Sequence, residues 1–490
     1  MNVLIVSAEA VPFAKVGGLA DVAGSLPSAL RDEGIDARLI MPGYGFIEHF
    51  KYDINLLFTF QFQHRNGVSD VYVYACIHDD VPVYFVQGFP YFGQDSSVYT
   101  DWNWDVPRFI FFNQIAMAVA WQLQERLGWF PDVFNVNDWH TSLLPFLLTQ
   151  SHWKREWTQV ASVVSIHNIA YQGNNVGGFM YEKGIPGRDH DLLARYDLHD
   201  NMLGIGIAYA DMVNTVSPRY ATEIQYAYAG YELAPIINHR RDSLRGILNG
   251  IDVKRWNPAT DTVIAAPFDA HNFRTARPAN KRHLQEWAGL PVRDDVPLIG
   301  VVSRLTWQKG FDLAVPALWQ VMAERDAQLV LLGTGEERLE DEFRRLQGAY
   351  GDKVRVFLEF DAAKAQHIYA GCDMFLMPSH FEPCGIGQMI AMRYGALPVV
   401  RETGGLADTV TNYDNDAGAV GTGFVFEWEE ASAVKGTLDW AIDTYHQRPQ
   451  AWQRMQARAM QRDFSWTKSA QAYIDLYEQA IQQRKDLAVT

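Results

Sequence analysis

Strand-length apolar runs recur along this chain, and most of them are continuous rather than alternating. In the first half they fall at residues 3–6, 38–41, 83–86, 133–136, 163–166 and 212–216. In the second half they fall at 298–302, 328–332, 354–358, 374–377 and 397–400. An alternating strand has one wet face, whereas a continuous run is buried on both, as in a parallel sheet covered by helices. Segments of helical pattern lie between many of the runs, at 19–33, 113–127, 313–324 and 336–348. That alternation implies a doubly wound α/β architecture. The chain has 490 residues, too many for one hydrophobic core, so at least two are expected. The turn-rich stretches Asn249-Gly250-Ile251-Asp252 and Asn257-Pro258-Ala259-Thr260 precede a fresh strand–helix series that starts at Leu298. The expected division is therefore 1–247 and 248–465, with a last helix near 466–490. Ligands of such sheets sit at the carboxyl ends of strands, here in an expected cleft between two α/β halves.

Composition removes several classes of function. Against 58 Asp and Glu stand 42 Lys and Arg, a formal charge of −16. This excludes a general nucleic-acid binder and a protein held by charge on anionic membrane. A single anionic ligand needs only a local group of cations and stays open. Three cysteines, Cys76, Cys372 and Cys384, with no CxxC pair, make neither a disulfide framework nor a structural zinc site. A reducing cytoplasm is expected. The start Met1-Asn2-Val3-Leu4-Ile5 lacks a charged targeting region, and no stretch approaches the roughly 20 apolar residues of a membrane span.

Candidate chemistry clusters where strands end. Lys15-Val16-Gly17-Gly18-Leu19 follows the first strand, and Gly17-Gly18-Leu19-Ala20-Asp21 recurs as Gly404-Gly405-Leu406-Ala407-Asp408. Paired glycines at a helix start let backbone N–H groups approach an anion closely. One copy alone reads as a tight turn; one in each half points to two loops facing one cleft. Arg304 and Lys309, in Arg304-Leu305-Thr306-Trp307-Gln308-Lys309, follow the strand at 298–302. Two preorganised cations there suit a diphosphate whose charge grows as its bond to a sugar breaks. Glu382 lies in His380-Phe381-Glu382-Pro383-Cys384-Gly385-Ile386-Gly387, after the strand at 374–377 and ahead of a helix expected near Ile386. It suits sugar or ribose hydroxyls, and equally a helix N-terminus. His167-Asn168-Ile169-Ala170-Tyr171-Gln172 and Asp138-Trp139-His140 each close a buried strand and offer a hydroxyl-binding surface. The spacing of Asp138, His140 and His167 matches no helical metal-ligand pair.

In order and spacing, these motifs resemble the bacterial glycogen synthase and plant starch synthase family, glycosyltransferase family 5, over nearly the whole chain. The resemblance implies a GT-B fold, two Rossmann-like domains facing a deep cleft, with the C-terminal helix crossing back to the first. It implies retaining transfer of glucose from ADP-glucose to the non-reducing end of an α-1,4-glucan such as glycogen or starch. ADP-glucose is then a substrate, and neither cofactor nor metal is expected. The implied compartment is cytoplasm, or plastid stroma for a plant or algal chain. By resemblance, Arg304 and Lys309 bind the diphosphate, with Gln308 beside them, Glu382 binds the donor and His167 lies against the transferred glucose. Lys15 lies near the donor phosphates and the acceptor side, beside Gly17, Gly18 and Asp21, while Asp138 and Asn249 line the cleft. Gly385, Gly387, Thr403, Gly404 and Gly405 are implied to turn backbone N–H groups to phosphate and glucose, with Cys384 and Ile386 in the same loop.

Two positions depart from the family pattern. Gly387 stands where Thr is frequent, and Val106 stands where an Asn precedes the Arg-Phe pair. Three other readings remain: a GT-B enzyme with another donor or acceptor, a priming or scaffolding paralogue, and a dinucleotide oxidoreductase. The last lacks its GxGxxG after the first strand; Gly333-Thr334-Gly335 matches only half of it. Trp102-Asn103-Trp104 is a candidate stacking surface for glucan rings.

Overall fold

The computed structural model describes residues 1–415 and 420–489. The chain divides into two units, Met1–Gly250 with Trp466–Thr490, and Ile251–Ser465.

The first unit is built on β1 (Asn2–Val6), β2 (Asp36–Pro42), β3 (Asn55–His64), β4 (Gly67–His78), β5 (Val81–Gly88), β6 (Val133–Asn137), β7 (Ala161–Ile166), β8 (Met212–Thr215) and β9 (Leu244–Gly246). Their order in the sheet is β3-β4-β5-β2-β1-β6-β7-β8-β9. From β5 to β9 every neighbouring pair is parallel. The strands β1, β6, β7 and β8 are buried almost throughout, as their continuous apolar runs require. The antiparallel β3 and β4 break that rule, and the search for continuous runs passes over them. In β4, Val71 and Val73 are buried while Asp70 and Tyr72 between and beside them are exposed, the alternation of a sheet with one wet face. The helix expected from residue 113 begins at Trp102, because the Asp101 side chain caps it by accepting from the Trp104 N–H. Pro107 sits inside this helix.

The helix Trp466–Val489 belongs to this first unit and closes the polar interior of its sheet. Tyr477 donates to Asn135 Oδ1 at 3.1 Å, and Asn214 donates to the Tyr473 hydroxyl at 3.2 Å. Arg484 pairs with Asp211 at 2.9 Å.

The second unit carries β10 (Leu298–Val302), β11 (Gln328–Leu332), β12 (Val354–Phe357), β13 (Met374–Met377), β14 (Leu397–Arg401) and β15 (Phe424–Phe426), all parallel, in the order β12-β11-β10-β13-β14-β15. The chain runs outward from β10 through β12, then returns to place β13 beside β10. Between β10 and β13 the winding reverses, the kind of point at which open α/β sheets place their ligands. The first unit has the same reversal between β1 and β6. Among the described residues, no helix is long and apolar enough to cross a membrane.

Candidate active site

Each unit gathers its polar residues at its own reversal point. In the first unit the loop after β1 is organised by Glu9, which is 3% exposed. Its carboxylate accepts from the N–H groups of Val16 at 2.6 Å and Gly17 at 2.9 Å, and from the Tyr99 hydroxyl at 2.5 Å. This holds the Lys15–Gly18 turn in place. Lys15 pairs with Asp21 at 2.6 Å, near the surface. A Cβ on Gly17 or Gly18 would meet nothing within 4 Å, and Gly17 has φ −129°, so neither packing nor backbone angle demands glycine there.

After β6, Asp138 takes a left-handed backbone, φ 54°, at the first position of the short helix Asp138–Thr141. Its carboxylate accepts from the N–H groups of His167 at 2.7 Å and Asn168 at 3.4 Å, which fixes the loop after β7. Burial pushes this carboxyl up to about 7; the two backbone N–H groups oppose the rise and the Glu9 charge adds to it. Burial lowers His167 to about 3, so its imidazole is neutral. Asn137 donates its own amide to the carbonyls of Val6 and Asn135, which leaves its Oδ1 as the acceptor 2.8 Å from His167 Nε2. The His167 proton therefore sits on Nε2, and Nδ1 is the ring's acceptor. His140, lowered to about 3 by burial and by Arg108, stacks on Tyr99 with centroids 4.9 Å apart. Arg108, with no exposed surface, pairs with Asp95 at 2.9 Å and Asp105 at 2.5 Å. Val106 is fully buried beside this network, so the missing amide at that position is replaced by apolar packing. Trp102 and Trp104 are 41% and 37% exposed, each leaning on one ring, Trp139 and Tyr91 respectively. Asn249 is 6% exposed, and among the described residues its buried Oδ1 has no partner.

In the second unit the loops after β10 and β13 are stitched together. His380 N–H donates to Gln308 C=O at 3.0 Å, and the Gln308 amide reaches Phe381 C=O at 3.5 Å. Gly310 follows Lys309 with φ 71°, and a Cβ there would lie 1.9 Å from the Pro378 carbonyl oxygen. Lys309 donates to both carboxylate oxygens of Glu382, at 2.9 and 2.7 Å, and Ser379 donates to one of them at 3.0 Å. Glu382 is 5% exposed and so takes no part in capping a helix at the surface. Arg304 is exposed and, among the described residues, has no acidic partner within ion-pair distance.

The loop after β14 corrects one expectation. The Thr403 N–H donates to Arg401 C=O at 2.9 Å, and the Gly405 N–H donates to the carbonyls of Glu382 and Pro383 at 3.0 and 3.2 Å. These two N–H groups are engaged within the protein and are not turned to phosphate. The close approach that glycine permits here is to the Glu382–Cys384 backbone: a Cβ on Gly404 or Gly405 would lie 2.0 Å from a carbonyl oxygen of that loop. The Gly17 N–H, held by Glu9, is likewise engaged. Gly385 has φ 75°, Ile386 precedes the helix Gly387–Arg393, and Cys384 is buried. A Cβ on Gly387 would lie 3.1 Å from the Phe375 ring, so a larger residue there requires that ring to give way.

The structure thus unites Gln308, Lys309, Glu382, Cys384, Gly385 and the Thr403–Gly405 turn in one unit. In the other it unites Lys15, Gly17, Gly18 and Asp21 through Glu9, and Asp138 with His167. Glu9, Tyr99 and Ser379 are not among the residues the sequence singles out. Glu9 had one signal, a lone acid just past a buried strand. Tyr99 had none, since its partner lies 90 positions away. Among the described residues no group of three or more His, Cys, Asp and Glu side chains is placed to hold a metal ion.

Residues 2–239 match the family described as starch synthase catalytic domain, and residues 286–459 match glycosyl transferases group 1. A glycogen synthase of Streptococcus equi subsp. zooepidemicus is 42% identical over 485 residues, which is 98% of this chain and 99% of that one. The catalytic domain of starch synthase IV from Arabidopsis thaliana, solved bound to ADP and acarbose, is 31% identical with a TM-score of 0.88, covering 98% of this chain and 99% of that one. A sucrose-phosphate synthase from Thermosynechococcus elongatus, 16% identical with a TM-score of 0.62 over 98% and 99% of the two chains, shares the fold.

Proposed function

This chain belongs to the glycogen synthase and starch synthase family, glucan-elongating glycosyltransferases of the GT-B fold that transfer a sugar from a nucleotide-sugar donor to a glucan acceptor, and from that premise we propose a finer reading. The donor is ADP-glucose, the acceptor is the non-reducing end of an α-1,4-glucan, and the anomeric configuration is retained without a cofactor or metal ion. The enzyme works in the cytoplasm.

The observation that carries this reading is the Lys309–Glu382 pair beside Arg304 at the β10/β13 reversal. A cation held by a buried carboxylate is positioned before any ligand arrives, so little reorganisation accompanies binding. Arg304 and Lys309 neutralise the diphosphate and stabilise it as it leaves. Glu382 orients Lys309 and accepts from donor hydroxyls. Starch synthase IV was solved with ADP, which supports an adenine nucleotide here.

Among first-unit residues, neutral His167 offers Nδ1 to a glucose hydroxyl. Lys15, paired with Asp21, adds a positive charge on the acceptor side. In the transfer, the bond from the anomeric carbon to the phosphate oxygen breaks as the bond to the acceptor hydroxyl oxygen forms on the same face. The hydroxyl proton passes to the departing phosphate oxygen, so no protein nucleophile is needed. Buried Cys384 is a poor candidate for one.

Incorporation of labelled glucose into glycogen, with ADP-glucose and UDP-glucose side by side and with EDTA present or absent, tests this reading. Faster transfer from ADP-glucose that is insensitive to EDTA is expected. Preference for UDP-glucose would overturn the donor assignment, and loss of activity in EDTA would overturn metal independence.

A further inference from the structure

Between the helices Pro218–Glu223 and Ala234–His239 runs Gln225-Tyr226-Ala227-Tyr228-Ala229-Gly230-Tyr231, a stretch with no charged side chain in a chain of net charge −16. Tyr226, Tyr228 and Tyr231 are 59%, 72% and 41% exposed. The rings of Tyr226 and Tyr228 lie nearly parallel, 18° apart, with centroids separated by 6.2 Å. Scattered surface aromatics need no explanation, whereas these three fall together on one short segment.

The segment is held rigidly. The Tyr226 N–H donates to Glu223 C=O at 3.0 Å, and the Gly230 N–H donates to Tyr226 C=O at 2.8 Å. Gly230 packs so closely that a Cβ would lie 1.9 Å from the Ile224 carbonyl oxygen. Tyr231 then takes φ 50°, a backbone region that costs a bulky residue free energy and persists only where the surroundings impose it. The segment is also tied to the loop that carries His167. Asn174 donates to Glu232 at 2.7 Å, and Ile169 N–H donates to the Tyr220 hydroxyl at 3.3 Å.

We propose that Tyr226 and Tyr228 form a stacking platform for an α-1,4-glucan chain, holding the polymer at glucose units removed from its reacting end. The proposal rests on the glucan-elongating reading above. The apolar C–H face of a glucopyranose ring lies on an aromatic face, while its hydroxyls stay in water or meet the phenol groups. An uncharged polymer suits an uncharged segment, and a nucleic acid or other polyanion finds no cation within it. A backbone held in place before binding reduces the ordering cost.

The test is the double variant Tyr226→Ala/Tyr228→Ala, compared with Tyr226→Phe/Tyr228→Phe. Affinity electrophoresis through gels containing glycogen reads binding without catalysis, so it stands apart from the donor and reaction assignments. The Ala pair is expected to weaken glycogen binding about tenfold and to raise the KM for glycogen to match, while the KM for ADP-glucose and the rate on maltotriose stay unchanged. The Phe pair, which keeps the rings, is expected to bind glycogen as the parent does. Unchanged glycogen affinity in the Ala pair overturns the proposal. So does equal loss in the Phe pair, and so does an equal loss on maltotriose, which would place the tyrosines at the reacting end. A changed sedimentation coefficient with glycogen affinity intact would make the face a self-association surface and also overturn it.

Discussion

The two Gly-Gly turns have nearly the same sequence and opposite physical reasons for glycine. At Gly404-Gly405 the glycines let the chain pass within carbonyl reach of Glu382–Cys384, and any side chain there collides with backbone. At Gly17-Gly18 the space is open, and a side chain there would meet no part of the protein within 4 Å. The paired cations differ in the same sense. Lys309 and Glu382 are mostly covered, with 18% and 6% of their side chains exposed, whereas Lys15 and Asp21 show 47% and 29%. One turn is packed against the protein's own backbone, and the other borders open space beside a half-exposed ion pair. A shared motif therefore does not imply a shared role; the neighbours decide.

The sharpest way to break this contrast is at the two lysines. Lys309→Ala is expected to lower kcat at saturating donor by about 10²–10³-fold, the effect of losing a preorganised group at a developing charge. Lys15→Ala should leave stability within about 1 kcal/mol, as for other exposed pairs, when measured by denaturant unfolding. Full activity of Lys309→Ala would remove the Lys309–Glu382 pair from the mechanism.

Next comes Gly405→Ala, which should destabilise by about 2–4 kcal/mol in denaturant unfolding because the obstacle is backbone rather than a movable side chain. Gly17→Ala should change stability by no more than about 0.5 kcal/mol and yet lower kcat/KM about tenfold. Equal stability losses at the two glycines would erase the distinction.

A third effect concerns Asp138. Its folded value of about 7 lies above the usual carboxylate range, so the native state binds the proton more tightly than the unfolded one. The stability this contributes is complete at low pH and is lost as pH rises toward 7. Asp138→Asn removes that dependence and keeps an acceptor for the His167 N–H. The variant should gain on the parent by about 1–3 kcal/mol between pH 5 and pH 8 in denaturant midpoints. His140 and His167 act oppositely in both proteins, losing stability as pH falls from 6.5 toward 3. A flat difference between the two proteins across that range would refute the Asp138 assignment.

The parallel strands were legible because burial on two faces leaves continuous apolar runs. The β3–β4 hairpin was not, since one wet face dilutes its signal. The helix expected over 113–127 extends back to Trp102, where the Asp101 side chain caps it. Within the site, the residue types of Lys309 and Glu382 were legible as candidates. Their pairing was not, because they are 73 positions apart and meet only when β13 returns to lie beside β10. The engaged N–H groups of Thr403 and Gly405 were hidden for a related reason: a glycine pair looks the same whether it makes room for a ligand or for the protein's own backbone.

The helix Trp466–Val489 sets an order of assembly. During synthesis the whole of Ile251–Ser465 leaves the ribosome before the residues that finish the first unit. Until that helix emerges, Asn135, Asn214 and Asp211 inside the first sheet lack Tyr477, Tyr473 and Arg484. Nascent chains thus carry an open seam in the earlier-made unit, and a stop codon ahead of Trp466 would yield a finished second unit attached to a first one that cannot close.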